Sequence, residues 1–254
     1  MNKLINPFLL MLLACEEAAP EQVEEPAEEL SDVEDIPTPS DNIPEEEEDN
    51  DSGNDDTPPE PVTVNYDFDE QDSLLYVQVY KDPNTAAAGM AHDHVMRASN
   101  WNGSVSYNVS DISKCAMQFS LPVDELQVDE DAMREYVGYG DTISSSDRAT
   151  IREHMLADNQ LNAASYPTIS FVSSSCQLLD DETIRVTGDM TIRNTTRQWD
   201  IDIDFTAQSE RFYMSSVIDF THSDFNITPY SAFWGAVRNS EPLKISFDMV
   251  GAAN

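Results

Sequence analysis

Hydrophobic and polar residues alternate along most of the chain beyond residue 63. The clearest row is Trp199, Ile201, Ile203 and Phe205, set against Gln198, Asp200, Asp202 and Asp204. A repeat of two is the signature of a strand with one buried and one wet face. The same reading places Leu75, Val77 and Val79 opposite Tyr76, Gln78 and Tyr80, and Val105, Tyr107 and Val109 opposite Ser104, Ser106 and Asn108. Cys115, Met117, Phe119 and Leu121 form a third apolar row, and Ile169 and Phe171 begin a fourth. Ile184, Val186, Gly188, Met190 and Ile192 make a fifth. Beyond the Trp199 row come Phe212, Met214, Ile218 and Phe220, then Leu243, Ile245, Phe247 and Met249. The pattern predicts an all-β domain of about eight strands.

Eight antiparallel strands with one buried face can close into a barrel, which removes the exposed edges. A two-sheet sandwich shows the same alternation. Between the third and fourth strands the period changes. Ser144-Ser145-Ser146-Asp147 fits a capping box, and residues 148–156 continue at helical spacing, so a short helical insertion is expected there. Residues 129–137 predict an earlier helical turn. Residues 86–90 and 230–237 read as helical turns or loops over a barrel end.

The first 62 residues have a different texture. Lys3 precedes an apolar run over residues 4–13, which ends in Leu12-Leu13-Ala14-Cys15. About ten residues are too few to span a bilayer, which takes roughly 20. They suit the core of an export signal, residues 1–15. The ending resembles the lipobox of bacterial lipoproteins, in which the cut falls before the Cys and that thiol is lipidated. Cys15 is then a membrane anchor, and the chain an exported lipoprotein at the periplasmic side of a membrane or the cell surface. Residues 16–62 hold 20 of the 49 acidic residues and no Lys, Arg or aromatic. Such a stretch cannot bury enough apolar surface to offset ordering, so a disordered, extended acidic tail is expected. The remainder, residues 63–254, is long enough for one sizeable core. It carries 29 acidic and 12 basic residues within a chain of net charge −36. Nucleic acid, which needs clustered Lys and Arg, is excluded as a partner.

The segment Tyr166-Pro167-Thr168-Ile169-Ser170-Phe171 resembles a strand motif of the YceI-like family. Val186-Thr187-Gly188-Asp189-Met190-Thr191-Ile192-Arg193-Asn194-Thr195-Thr196-Arg197 resembles that family's hairpin. Met155-Leu156 and the segment from Ser223 to Ile227 fit in the same order. The resemblance implies an eight-stranded antiparallel lipocalin-like barrel, exported, with a long apolar interior that binds isoprenoid chains or other amphiphiles. The inward rows then nominate Met117, Phe119, Ile169, Phe171, Met190, Trp199, Phe205, Met214, Phe220 and Phe247 as lining residues for a lipid-like small molecule.

Two other constellations carry chemistry. On an extended segment His92 and His94 project to one face and can chelate a divalent metal, with His222 or Asp224 as the third ligand. A metal-dependent binder or enzyme is therefore the first alternative, and an envelope protein with a solid core is the second. No phosphate loop, nucleophile elbow, CxxC or HExxH occurs. Cys115 and Cys176 start one strand and end the next. If Phe119 pairs with Phe171, Cys115 falls opposite Ser175, and a bulge would bring Cys176 into disulfide range. Oligomeric state is not legible.

Overall fold

Strand formation follows the alternation. A computed structural model describes residues 62–254; the export signal, Cys15 and the acidic tail up to residue 61 lie outside the described residues. In chain order the strands are β1 (Val64–Phe68), β2 (Leu74–Lys81), β3 (His94–Ala98), β4 (Asn102–Tyr107), β5 (Ala116–Pro122) and β6 (Leu126–Val128). They continue with β7 (Thr168–Leu178), β8 (Thr183–Ile192), β9 (Thr195–Ala207), β10 (Arg211–Thr221), β11 (Ser231–Ala232) and β12 (Val237–Ala253). Two helices, α1 (Asp131–Tyr136) and α2 (Ser145–Leu156), lie between β6 and β7.

Eight of the strands close a ring in the order β1-β4-β5-β7-β8-β9-β10-β12, and β12 returns to β1. Every pairing is antiparallel, as in a lipocalin-like barrel. The strand β12 is long enough to serve two neighbours along one edge. Its last residues pair with β1, where Tyr66 faces Ala253, and its middle pairs with β2, where Val77 faces Ile245. Thus β1 and β2 act as one stave broken at residues 69–73. Likewise β3 and β4 break at residues 99–101, and β5 and β6 at the 3-10 turn Val123–Glu125. Past the breaks, β2, β3 and β6 continue the sheet from β12, and Leu75, Val77, Val79, Met96 and Leu126 on them line the interior. The helical insertion follows β6 at this open end.

Two sequence features position the wall. Gly188 of β8 lies against β7, and a Cβ there would stand 2.5 Å from the ring of Phe171 and 2.6 Å from the Val172 carbonyl. Only a residue without a side chain permits that approach. Ser144 caps α2 by accepting the Asp147 backbone N–H at 3.1 Å, as the capping pattern predicts. The α2 residues Ile151 and Met155, four apart and so on one face, turn toward the barrel core.

The Phe119–Phe171 register is present. β7 carries a bulge between Ser173 and Ser175, and Cys115 and Cys176 are joined by a disulfide with Cα atoms 5.9 Å apart. The inserted residue absorbs the one-position slip that the register alone would leave.

Candidate ligand cavity

The interior is filled at one end and hollow at the other. Where β12 ends, Tyr66, Tyr107, Phe205 and Phe212 converge, with Phe205 stacked on Phe212 at 5.7 Å and Tyr107 5.4 Å from Phe205. Tyr66 lies 5.4 Å from Phe212, and its hydroxyl donates to the Gln208 carbonyl at 2.6 Å. Burial raises the pKa of both tyrosines, which remain neutral donors. Above this aromatic floor the inward rows are mostly Leu, Ile, Val and Met with scattered Phe, and a cavity of about 260 Å³ opens among them.

Eight of the ten residues nominated from the alternation line the cavity: Met117, Phe119, Ile169, Phe171, Met190, Met214, Phe220 and Phe247. Phe205 belongs to the aromatic floor. Trp199 stands outside the lining, in edge contact with Phe220 at 5.5 Å and Phe225 at 5.6 Å. Sequence reasoning missed Ile151, Met155 and Phe225, which close the cavity from the insertion and from the turn after β10. The i, i+4 pair on α2 was the available signal for the first two. Phe225 lies outside any alternating row, and its signal was the family-like segment from Ser223 to Ile227.

The three histidines nominated as metal ligands take separate partners. β3 begins only at His94, because Asp93 turns out of line and accepts the Lys81 backbone N–H at 2.9 Å. His92 and His94 are therefore not neighbours on one strand face. His92 bonds to Asp141 through Nδ1. His94 holds Asp129 through Nδ1 at 2.7 Å, and His222 donates Nδ1–H to the Glu241 carbonyl at 3.0 Å. Asp224 accepts the Thr221 backbone N–H at 2.7 Å in a capping box. Among the described residues no group of three or more His, Cys, Asp or Glu could hold a metal ion.

Two of these histidines nevertheless face the cavity. His94 and His222 line it near its mouth, beside Tyr230, Asn239 and Gln160. Each spends Nδ1 on the protein, and His222 also meets the Ser240 backbone. Burial pushes the His222 pKa down against the pull of the Glu241 and Ser240 backbone, which favours the neutral imidazole.

His94 is held by a buried ion network. Asp129 is fully enclosed and accepts from His94, from the Val95 backbone N–H at 3.0 Å and from Arg134 at 2.8 Å. Burial alone would raise its pKa, yet these three donors outweigh burial and hold the carboxyl below its ordinary range. Arg134, itself 2 % exposed, also bonds the Asp93 carbonyl at 2.8 Å and the carboxylate of Asp141, and lies over the Tyr139 ring at 5.3 Å. Burial pushes the Tyr139 hydroxyl up to about 12. The network ties α1 to the His92-Asp93-His94 segment and so fixes the insertion over the hollow end.

The sequence matches the YceI-like domain over residues 66–250, the span that builds this cavity and its mouth. The chain belongs to the YceI-like family. Among solved structures, this YceI-like barrel is similar to BcnA of Burkholderia cenocepacia, with a TM-score of 0.53 at 14% identity, over 72% of this chain and 98% of that one. The YceI protein of Campylobacter jejuni also matches, with a TM-score of 0.44 at 14% identity, over 63% of this chain and 84% of that one. Among curated proteins none matches the sequence.

Proposed function

We propose that this protein is an exported, membrane-tethered binding protein that holds an isoprenoid or other lipid-like chain inside its barrel. The carrying observation is the apolar cavity of about 260 Å³ that reaches the polar mouth at His94 and His222. Each methylene buried there contributes about 0.8 kcal/mol, so a hydrocarbon chain needs no charged contact to bind usefully. The imidazoles of His94 and His222 supply orientation for a polar group at the end of that chain. Membership in the YceI-like family supports an apolar ligand, and the lipobox-like Cys15 with its acidic tail supports tethering.

Native mass spectrometry of protein purified gently from its host tests the reading, with a bound lipid mass as the expected result. The delipidated protein should also take up polyprenyl and quinone probes. Repeated absence of any lipid mass together with no uptake of either probe would sink the proposal. Radiolabelled palmitate incorporation, lost in Cys15→Ala, tests the tether separately.

A further inference from the structure

Trp234 stands fully in solvent, and its neighbour Phe233 is 68 % exposed. Both sit in the turn between β11 and β12, where three successive residues are left-handed: Phe233 (φ 50°), Trp234 (φ 55°) and Gly235 (φ 89°). That region is unfavourable for an L-residue, and rings this exposed have little packing to offset it. Backbone held this way, with nothing gained in the folded core, points to a role outside the core.

The turn does not stand alone. The loop after β2 packs beside it, with the Ala87 N–H donating to the Ala236 carbonyl at 2.9 Å and the Asp82 N–H to the Arg238 carbonyl at 2.8 Å. An Arg238–Asp82 ion pair, Nε to Oδ2 at 3.2 Å, braces the base. Met90, on the second loop, is 71 % exposed. Together they make a braced platform carrying three large apolar side chains. It adjoins the cavity mouth, since Tyr230 and Asn239 line the cavity and the Asn239 N–H donates to the Tyr230 carbonyl at 2.9 Å.

Charge identifies the occupant. Residues 83–91 and 226–237 contain no Asp, Glu, Lys or Arg, although residues 63–254 carry 29 acidic and 12 basic side chains. An uncharged rim with a Trp at its tip suits the interfacial layer of a bilayer, where an amphipathic ring has both apolar and polar surroundings. The acidity of the rest of the domain disfavours attraction to anionic lipid, so the apolar tip itself must supply the binding. We propose that this rim docks the barrel mouth on a zwitterionic lipid surface by inserting Phe233, Trp234 and Met90.

The domain's first strand starts at the opposite end of the barrel, where Tyr66 pairs with Ala253. That does not keep the tip from a membrane. Stretched, residues 16–62 reach about 150 Å, against about 55 Å for the 17 residues of β12. The proposal goes beyond ligand binding and does not depend on what fills the cavity.

Tryptophan emission of the full chain reads the tip directly. Trp101 is buried and Trp199 half-buried, so the difference between wild type and Trp234→Ser isolates Trp234. With phosphatidylcholine vesicles this difference signal should shift to the blue and lose iodide quenching, and brominated acyl chains should quench it. Phe233→Ser should weaken vesicle partitioning by about tenfold, with an unchanged circular dichroism spectrum. A Trp234 signal that stays in solvent while vesicles hold the chain by its N-terminus would overturn the proposal. So would a signal buried by self-association and indifferent to lipid, which would assign the rim to a second copy of this chain. Uptake of a short-chain quinone from solution by Trp234→Ser tests the cavity separately, so either reading can fail alone.

Discussion

The two ends of the barrel are built from the same kind of alternating strand and reach opposite outcomes. At the end where β12 finishes, the inward positions carry Tyr66, Tyr107, Phe205 and Phe212, whose rings meet within 5.4–5.8 Å and leave nothing to fill. At the other end the inward positions are mostly Leu, Ile, Val and Met, the wall is continued by the short strands β2, β3 and β6, and a cavity remains. One end is held by packing. The other is held by a polar network, with Asp129 and Arg134 fastening the insertion over the gap. The difference teaches that a barrel need not be uniformly packed to be stable: where apolar filling is withdrawn, satisfied buried charge can position the cover instead.

The sharpest way to break this comparison is to truncate one ring at each end. Phe212→Ala should cost about 3–5 kcal/mol, since a void opens in a filled site. Phe220→Ala should cost only about 1–2 kcal/mol, because it enlarges space that already exists, while weakening quinone-probe binding about tenfold. Denaturant midpoints at constant slope read the stability difference. Equal losses at the two positions would mean that the hollow end is filled in solution.

The network at the open end predicts an effect nearly as large. Arg134→Met leaves Asp129 enclosed without its cation and should cost about 3–5 kcal/mol, because an unpaired buried charge is penalised heavily. Hydrogen exchange should accelerate over α1 and the segment from Asp93 to Val95 before it does so in β8 to β10. Uniform acceleration would show that the network supports the whole barrel rather than its cover.

A smaller loss is expected at the Cys115–Cys176 bridge, which closes a loop of sequence separation 61 beside the filled end. Cys115→Ser with Cys176→Ser should lower stability by about 2–4 kcal/mol through the unfolded chain, leaving probe affinity at the hollow end unchanged. Isothermal titration with a quinone probe checks that separation.

The smallest effect is a pH dependence specific to the hollow end. The His222 pKa is lowered from 6.5 by burial, so the unfolded chain binds a proton that the folded chain resists. Stability is therefore complete above 6.5 and declines as pH falls below it toward the lowered folded-state pKa. Asp129, whose pKa is lowered from 3.8, adds a separate loss below that value. Urea midpoints in His222→Gln should lose the upper step and keep the lower one. Persistence of both steps would assign the upper one to another group.

Most of the barrel was legible because its strands face water on one side. The Trp199 to Phe205 row shows this plainly: its inward residues are half-buried or buried and its aspartates exposed. β3 was missed for the converse reason. Val95 and Met96 are adjacent and both buried, so the strand lacks the period-two signal. β1 was missed because five residues beside an acidic tail offer too short a row. The nominated metal site failed on backbone direction, since Asp93 bonds Lys81 and sends His92 to Asp141 and His94 to Asp129. No local pattern reveals that Arg134 bridges Asp129, the Asp93 carbonyl and Asp141, because the contact joins a strand end, a helix and a loop.

The residues alone determined that the domain is a β-structure with one apolar face per strand, and which side chains of the alternating rows point inward. Those properties follow from period two and from short-range chemistry, which a linear string carries in full. Only the tertiary structure decided that the inward rows converge into a solid floor at one end and a cavity at the other. It alone brings His94, His154 and His222 to the cavity lining and an uncharged aromatic tip beside its mouth. Those outcomes depend on ring closure, on where the staves break and on what the insertion covers, and each is a contact between residues far apart in the chain.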